Sequence, residues 1–344
     1  MKEAILYKKL KNDSVQCLAC QNKCVIPEGK WGICGVRKNI KGKLYLAPFG
    51  KAIAVNIDPI EKKPLFHFLP GEKAFSLGTL GCNFSCLFCQ NWDISQPPRT
   101  QSIRDKIEKS NYWGADWPPK KVVSYCRENK IPIIAYTYNE PTVWTEYALA
   151  IMKLAHQHKI KNVWVSNGYM TEETLELIHP YLDAINVDLK SFQDKFYREI
   201  TGGRVEPVKE NIKRIWQMQI WEEVTTLVIP GLNDSDKELN QIAQFIAGIS
   251  KDIPWHITAF YPAYKMQDRP PTPKETLIRA YNIGKKNGLR YVYLGNIPDT
   301  KYQTTYCPHC GEPLIERYGM GVLKNKLQNG RCPHCHTKIA GIFS

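Results

Sequence analysis

The chain has 344 residues, 43% of them hydrophobic, which is enough for one large core with small satellites or for two domains. It holds no run of eighteen apolar residues and its lysine-rich start leads into no apolar stretch, so neither a transmembrane helix nor a secretory leader is expected. The formal charge of +14 is uneven: residues 1–50 hold ten Lys or Arg against three Asp or Glu, residues 301–344 hold six against two, and the middle is nearly balanced.

Those basic ends are also where cysteines cluster. Of twelve cysteines, eleven fall into three tight groups and only Cys126 stands alone, in an apolar helix pattern that reads as core. Such grouping argues for metal binding in a reducing compartment rather than for disulfides, so a cytoplasmic location is expected. Bound thiolates are anionic and would offset part of the terminal charge. The remaining lysines read either as a solvated surface or as a face for an anionic partner such as RNA.

In chain order, residues 1–55 form the first module. Cys17, Cys20, Cys24 and Cys34 are a complete set of four, and zinc or an auxiliary [4Fe-4S] cluster would both fit. Residues 56–299 form the core domain. Short apolar runs rich in Val, Ile, Tyr and Trp predict strands at 74–80, 132–136, 162–166, 184–189, 224–229, 255–260 and 291–294. Amphipathic stretches between them predict helices at 120–128, 143–159, 172–179, 208–218, 236–249 and 274–287. Spacings of this kind suit parallel βα crossovers. The expected fold is therefore α/β, a partial (β/α) barrel of the TIM type, with an open doubly wound sheet as the alternative. Residues 93–118, with Pro97, Pro98, Pro118 and Trp117, read as a long irregular loop able to cover a site. Residues 300–344 carry Cys307-x2-Cys310 and Cys332-x2-Cys335, the spacing of a zinc ribbon with four thiolate ligands; His309, His334 and His336 are alternative donors. So short a tail has little core of its own, and a metal would supply the missing stability.

The central group, Cys82-x3-Cys86-x2-Cys89, follows the first predicted core strand, where barrel chemistry sits. Three thiolates on one tight loop, with no fourth nearby, leave one iron of a [4Fe-4S] cluster open. That iron can take the amino nitrogen and carboxylate oxygen of S-adenosylmethionine (SAM). One-electron reduction then breaks the sulfonium S–C5′ bond and gives a 5′-deoxyadenosyl radical. A three-cysteine zinc site is the competing reading, and the position after a strand, with Phe88 before the third cysteine, favours the cluster.

Residues 81–93, GCNFSCLFCQNWD, resemble the radical SAM superfamily and, within it, the pyruvate formate-lyase activating enzyme branch. Over nearly its whole length the chain resembles more closely the radical SAM enzymes of the AmmeMemoRadiSam system. The matching motifs are CVIPEG at 24–29, DPIEKKPLFH at 58–67, CQNW at 89–92, TYNEPT at 137–142 and LGNIP at 294–298. The resemblance implies site roles. The Gly-Gly-Glu-Pro segment that holds the SAM amino group is matched by Tyr138-Asn139-Glu140-Pro141, with the glycine pair replaced. Glu140 would meet the amino group, and Ser166 and Asn167 would reach SAM from a strand end. Asp188 and Lys190 match an Asp-x-Lys in which the acid holds a cation near SAM and the lysine contacts its carboxylate. His256 matches a strand histidine near the adenosine. Lys190 and His256 are thereby the expected catalytic residues. Each has a plainer reading: Glu140 as a helix cap, Asp188–Lys190 as a strand-end ion pair, and His256 and His67 as packed core histidines.

The expected function is thus that of a radical SAM enzyme using a [4Fe-4S] cluster, SAM and structural zinc, on a substrate the sequence does not reveal. Glycyl-radical enzyme activation, RNA modification and a small-molecule reaction shared with Memo-like and AMMECR-like proteins are the candidate substrate classes. The resemblance implies a one-electron donor of ferredoxin or flavodoxin type, a possible RNA or protein substrate, and no membrane. A non-catalytic, metal-dependent RNA-binding protein is the alternative from another class. The series Asn167, Asp188, Lys190 and His256 at strand ends speaks against it, since RNA binding alone needs none of them together.

Overall fold

The computed structural model describes residues 1–344, which divide into two compact units. The first comprises Met1–Asp58, Lys73–Asp183 and Ile200–Gly203; the second comprises Pro59–Glu72, Ala184–Glu199 and Arg204–Ser344.

The first unit begins with two small antiparallel sheets. In one of them Arg37–Ile40 and Lys43–Leu46 form a hairpin. Its two turn residues, Lys41 and Gly42, have φ of +50° and +70°, the double positive that a two-residue hairpin turn requires. Three parallel core strands follow: β1 (Lys73–Gly78), β2 (Ile133–Tyr136) and β3 (Lys161–Ser166). β2 lies between the other two, with Ile133 level with Ala74 on one side and Lys161 on the other. All four β2 residues are buried, as expected of a strand covered on both faces.

The helices of seven or more residues in this unit are α1 (Gln101–Ser110), α2 (Pro119–Glu128), α3 (Thr145–Gln157) and α4 (Glu172–Ile178). Thr171 caps α4 by accepting from Thr174 N–H. Helix α1 corrects the expectation of a long irregular loop. Flanking prolines dominate the composition of that stretch, yet Gln, Arg, Lys, Ile and Glu at its centre are competent helix formers. The helix buries none of its residues, and an ion pair from Glu108 to Lys38 fixes it.

The second unit carries four parallel strands, adjacent in chain order: β4 (Ala184–Asp188), β5 (Trp221–Val228), β6 (Trp255–Ala259) and β7 (Val292–Gly295). Helices α5 (Val205–Gln217), α6 (Asp236–Ile249) and α7 (Lys274–Lys286) connect them. In α7 a Cβ at Gly284 would stand 3.0 Å from the Trp255 ring, so glycine there lets the helix settle against β6. β5 starts three residues earlier than predicted, because Glu222 and Glu223 look like loop residues yet are fully buried.

The end of the chain adds an antiparallel sheet of Thr305–Tyr306, Pro313–Tyr318 and Gly321–Asn325. Its core is shared: Cys307, Leu314, Ile315, Cys332 and Ile339 pack with Phe66, Tyr291 and Tyr293. Arg317, fully buried, stacks over Phe66, donates to the Phe66 carbonyl at 2.6 Å and faces Glu61 at 3.4 Å. The α/β reading with parallel strands and a cysteine-rich C-terminal cluster is borne out. No helix is long and apolar enough to cross a membrane.

Candidate functional site

The loop after β1 carries the three central cysteines. It turns at Gly81, where φ is +90° and a Cβ would lie 2.6 Å from the Cys34 carbonyl, so only glycine lets the loop approach the N-terminal module. Ser85 and Leu87 then donate their N–H groups to Thr201 and Ile200 at 2.8 and 3.0 Å, and Arg99 donates to the Cys82 carbonyl at 2.9 Å. Phe84 N–H points at Cys82 Sγ at 3.5 Å, and Cys89 Sγ lies 3.3 Å from Ser95 Oγ. Phe84 packs on Tyr169 with ring centroids 4.9 Å apart. Cys86 is buried and the other two are partly buried. Burial, with the Glu140 carboxylate and the neighbouring thiols adding to it, pushes the Cys82 thiol far above its usual range. A thiolate there needs a cation to offset that cost.

No two of the twelve cysteines are joined in a disulfide. The quartet Cys307, Cys310, Cys332 and Cys335 is the group whose donor atoms all lie within 4.8 Å of one another. Cys307 and Cys335 sulfurs are 3.5 Å apart and those of Cys310 and Cys332 3.7 Å, close to the edge of roughly 3.8 Å that a tetrahedron with 2.3 Å metal–sulfur bonds has. The neighbouring histidines take no part in this set. Cys86 and Cys89 lie close enough to Cys82 to raise its pKa, and three such thiols on one loop are the donor set of a cluster that leaves one iron open.

Three residues expected at SAM do come together beside this loop. Glu140 Oε1 accepts from Ser166 Oγ at 2.8 Å and Thr142 N–H at 3.0 Å, and its Oε2 accepts from Asn167 N–H at 2.7 Å. Asn167 Nδ2 donates to Asn83 Oδ1 at 2.7 Å, next to Cys82. Glu140 also caps the short helix Pro141–Trp144, so the plainer reading of that residue holds as well. Burial raises its carboxyl pKa, against hydrogen bonds from Thr142, Asn167 and Ser166 that lower it.

In the second unit, Asp188 ends β4 and its Oδ2 takes Lys190 Nζ at 2.8 Å, which is the ion pair foreseen as the plainer reading. His256 is only 3% exposed, and its Nε2 lies 2.6 Å from Glu223 Oε2. Its ring packs edge-on against Phe66 and stacks on Tyr293. Glu223 further accepts from the N–H groups of Phe66 and His67 and from Trp221 Nε1. The Nε2 edge of His256, expected near the adenosine, is thus held by a buried carboxylate. His67 is a packing residue, with Nδ1 donating to the Ala340 carbonyl and Nε2 accepting from Tyr293.

Sequence reasoning missed Asn83, Asn139 and Tyr138. Asn139 Oδ1 accepts from Thr79 N–H and Trp144 Nε1, and its Nδ2 donates to the Gly81 carbonyl at 2.7 Å, bracing the cysteine loop. Tyr138, where a glycine was expected, takes φ of +73° and donates its hydroxyl to Asp58 at 2.6 Å. Asn139 and Tyr138 lie inside the quoted TYNEPT stretch, and Asn83 directly follows Cys82; those were the available signals.

The family model described as the radical SAM superfamily matches residues 77–246. An uncharacterized protein of Methanocaldococcus jannaschii is 40% identical over 343 residues, covering 98% of this chain and 99% of that one. The isethionate sulfite-lyase activating enzyme of Oleidesulfovibrio alaskensis is 27% identical over 128 residues, 36% of this chain and 41% of that protein. Among solved structures, a domain of the pyruvate-formate lyase-activating enzyme from Bacteroides vulgatus is 20% identical, with a TM-score of 0.41 over 47% of this chain and 98% of its own.

Proposed function

We propose, since the chain belongs to the radical SAM superfamily, that Cys82, Cys86 and Cys89 hold a [4Fe-4S] cluster at which SAM is reductively cleaved. When bound, the cluster and SAM supply a 5′-deoxyadenosyl radical for hydrogen abstraction from a substrate. The observation that carries this reading is the bonded set Glu140, Ser166, Asn167 and Asn83, which sets a polar strand end beside Cys82.

The chain's own groups then have distinct tasks. The three thiolates bind iron, and the Phe84 N–H and Ser95 hydroxyl orient two of the sulfurs. Glu140, Ser166 and Asn167 bind the amino-acid end of SAM. Phe84, Phe88 and Tyr169, all buried, keep water from the loop. Asp188 and Lys190 serve the SAM carboxylate and a companion cation. His256, clamped by Glu223, acts as a positioning residue for its strand.

The C-terminal quartet binds structural zinc; its two short sulfur–sulfur edges suit a single tetrahedral ion, and its paired Cys-x2-Cys knuckles have the spacing of a zinc ribbon. The motifs at 58–67 and 137–142 support the AmmeMemoRadiSam branch, with Memo-like and AMMECR-like partners and a ferredoxin or flavodoxin donor in the cytoplasm. Among substrate classes, glycyl-radical enzyme activation has the support of a named relative, the isethionate sulfite-lyase activating enzyme. The test is anaerobic reconstitution, addition of dithionite and SAM, and assay of 5′-deoxyadenosine. Product above background is expected, and its absence with the cluster loaded would overturn the proposal.

A further inference from the structure

The Glu223–His256 pair is held by residues far along the chain as well as by its own strands. Glu223 Oε1 accepts from His67 N–H at 2.7 Å and its Oε2 from Phe66 N–H at 3.0 Å, besides the 2.6 Å contact to His256 Nε2. Phe66 is fixed in turn by the C-terminal antiparallel sheet. Arg317, on its middle strand Pro313–Tyr318, donates through Nη2 to the Phe66 carbonyl at 2.6 Å and lies over the Phe66 ring at 4.3 Å. The same ring meets His256 edge-on, with centroids 4.8 Å apart.

A second line runs beside the first. Arg317 Nη1 donates to Thr305 Oγ1 at 2.8 Å, Thr305 bonds the Tyr293 hydroxyl at 2.8 Å, and that hydroxyl bonds His67 Nε2 at 2.5 Å. Tyr293 then stacks on His256 at 5.3 Å. Burial pushes the His67 pKa down to about 4, so its ring is neutral and Nε2 accepts. A guanidinium only donates. The line therefore has one direction, from Arg317 to Thr305, to Tyr293, to His67.

From this arrangement we propose that Arg317, acting with Thr305, is a positioning residue for His256, so that the C-terminal sheet sets the geometry of the parallel strands' ligand-facing layer. Arg317, Thr305, Phe66, Glu223, Tyr293 and His256 are all buried, and a buried network with its bonds made has few alternative arrangements. Stability alone is a poor account of Arg317. Its carboxylate partner Glu61 stands 3.4 Å away, and buried ion pairs contribute little net stability. What the guanidinium supplies is a rigid planar fork that ties two segments at fixed angles, which a lysine ammonium does not reproduce.

His256 also lies at a level where a ligand can be received. In the parallel register Thr225 of β5 is level with His256 of β6 on one side and with Asp188 of β4 on the other. The Thr225 hydroxyl is buried and has no hydrogen-bond partner, so this layer keeps capacity for a bond to a ligand. Naming that ligand as SAM rests on the function proposed above; the hold of Arg317 on His256 does not.

The test uses the full chain, reconstituted anaerobically. Hydrogen–deuterium exchange at histidine C2, read by mass spectrometry, reports each imidazole separately. In the unmodified protein His256 should exchange far more slowly than the exposed His156 and His158. R317K and T305V should each raise the His256 rate about tenfold, equivalent to about 1.4 kcal/mol of lost local stability, and leave His156 and His158 as they were. I246A, which opens a cavity at a buried position of α6, is the control for general loosening, and its His256 rate should match the unmodified protein. R317K should also weaken SAM binding about tenfold in equilibrium dialysis, with iron content unchanged. An unchanged His256 rate in R317K and T305V, or an equal rise in I246A, would overturn the proposal. An unmodified protein that holds iron but binds no SAM would defeat the proposed function instead, and the exchange rates would still decide the role of Arg317.

Discussion

Asn167 donates its side-chain amide to the side-chain carbonyl of Asn83 at 2.7 Å. The first residue follows the last position of β3, and the second stands beside Cys82, so this bond fixes a strand end relative to the cysteine loop. Both residues are nearly fully buried, where an amide left without its partner is costly.

Replacing that donor tests whether the strand end serves SAM or only the loop. N167A in the reconstituted protein is expected to weaken SAM binding about tenfold, equivalent to about 1.4 kcal/mol. Its iron content should not change. Equilibrium dialysis with labelled SAM, alongside iron analysis, reads both. Loss of iron with unchanged affinity would assign Asn167 to the loop alone.

Cys86 and Cys126 form a natural contrast, since both are buried thiols on different elements. C86A should lose the iron of its site and drop 5′-deoxyadenosine formation to background. C126A, inside α2, should keep both, at a stability cost of about 1 kcal/mol. Full product formation by C86A would remove the assignment of the ligands.

For the C-terminal quartet, metal analysis of the whole chain should find about one zinc attributable to it. C332S should lose that zinc and lower the Tm by at least about 5 °C, because Cys332 also belongs to the shared core. H309A and H334A should retain the metal. A zinc-free native protein of unchanged Tm would refute the ribbon as a metal site.

Glu222 gives a pH prediction. It is fully buried and neither carboxylate oxygen has a hydrogen-bond partner, so burial raises its pKa well above the usual carboxylate range. The folded state holds a proton that the unfolded chain releases as pH rises past its ordinary value. Stability from this group is therefore present at low pH and declines as pH climbs toward the folded-state value. E222M should remove that decline, and its Tm advantage over the unmodified protein should widen from pH 6 to pH 9. Parallel pH curves for the two proteins would contradict the assignment.

Much of the architecture was legible because it depends on local pattern. The α6 helix at Asp236–Ile249 matches its prediction residue for residue, since Ser235 caps it and its apolar spacing is regular. Cysteine spacing likewise gave the C-terminal ligand set. What escaped depends on partners distant in sequence. Glu223 reads as a surface residue until four donors from Phe66, His67, Trp221 and His256 surround it. Likewise no local signal shows that Asn83 joins Asn22 and Asn167, 61 and 84 residues away.

The buried pair of Glu61 and Arg317 spans 256 residues of chain. During synthesis the segment around Glu61 and Phe66 leaves the ribosome long before Arg317 is made, and it must wait with a carboxylate and aromatic surface exposed. The second unit can close only near the end of translation, a non-local pairing of the kind that folds slowly. The four N-terminal cysteines, by contrast, lie within 18 consecutive residues, 17–34. They are all made before any of the parallel core strands, so the two ends of the protein mature at opposite ends of its synthesis.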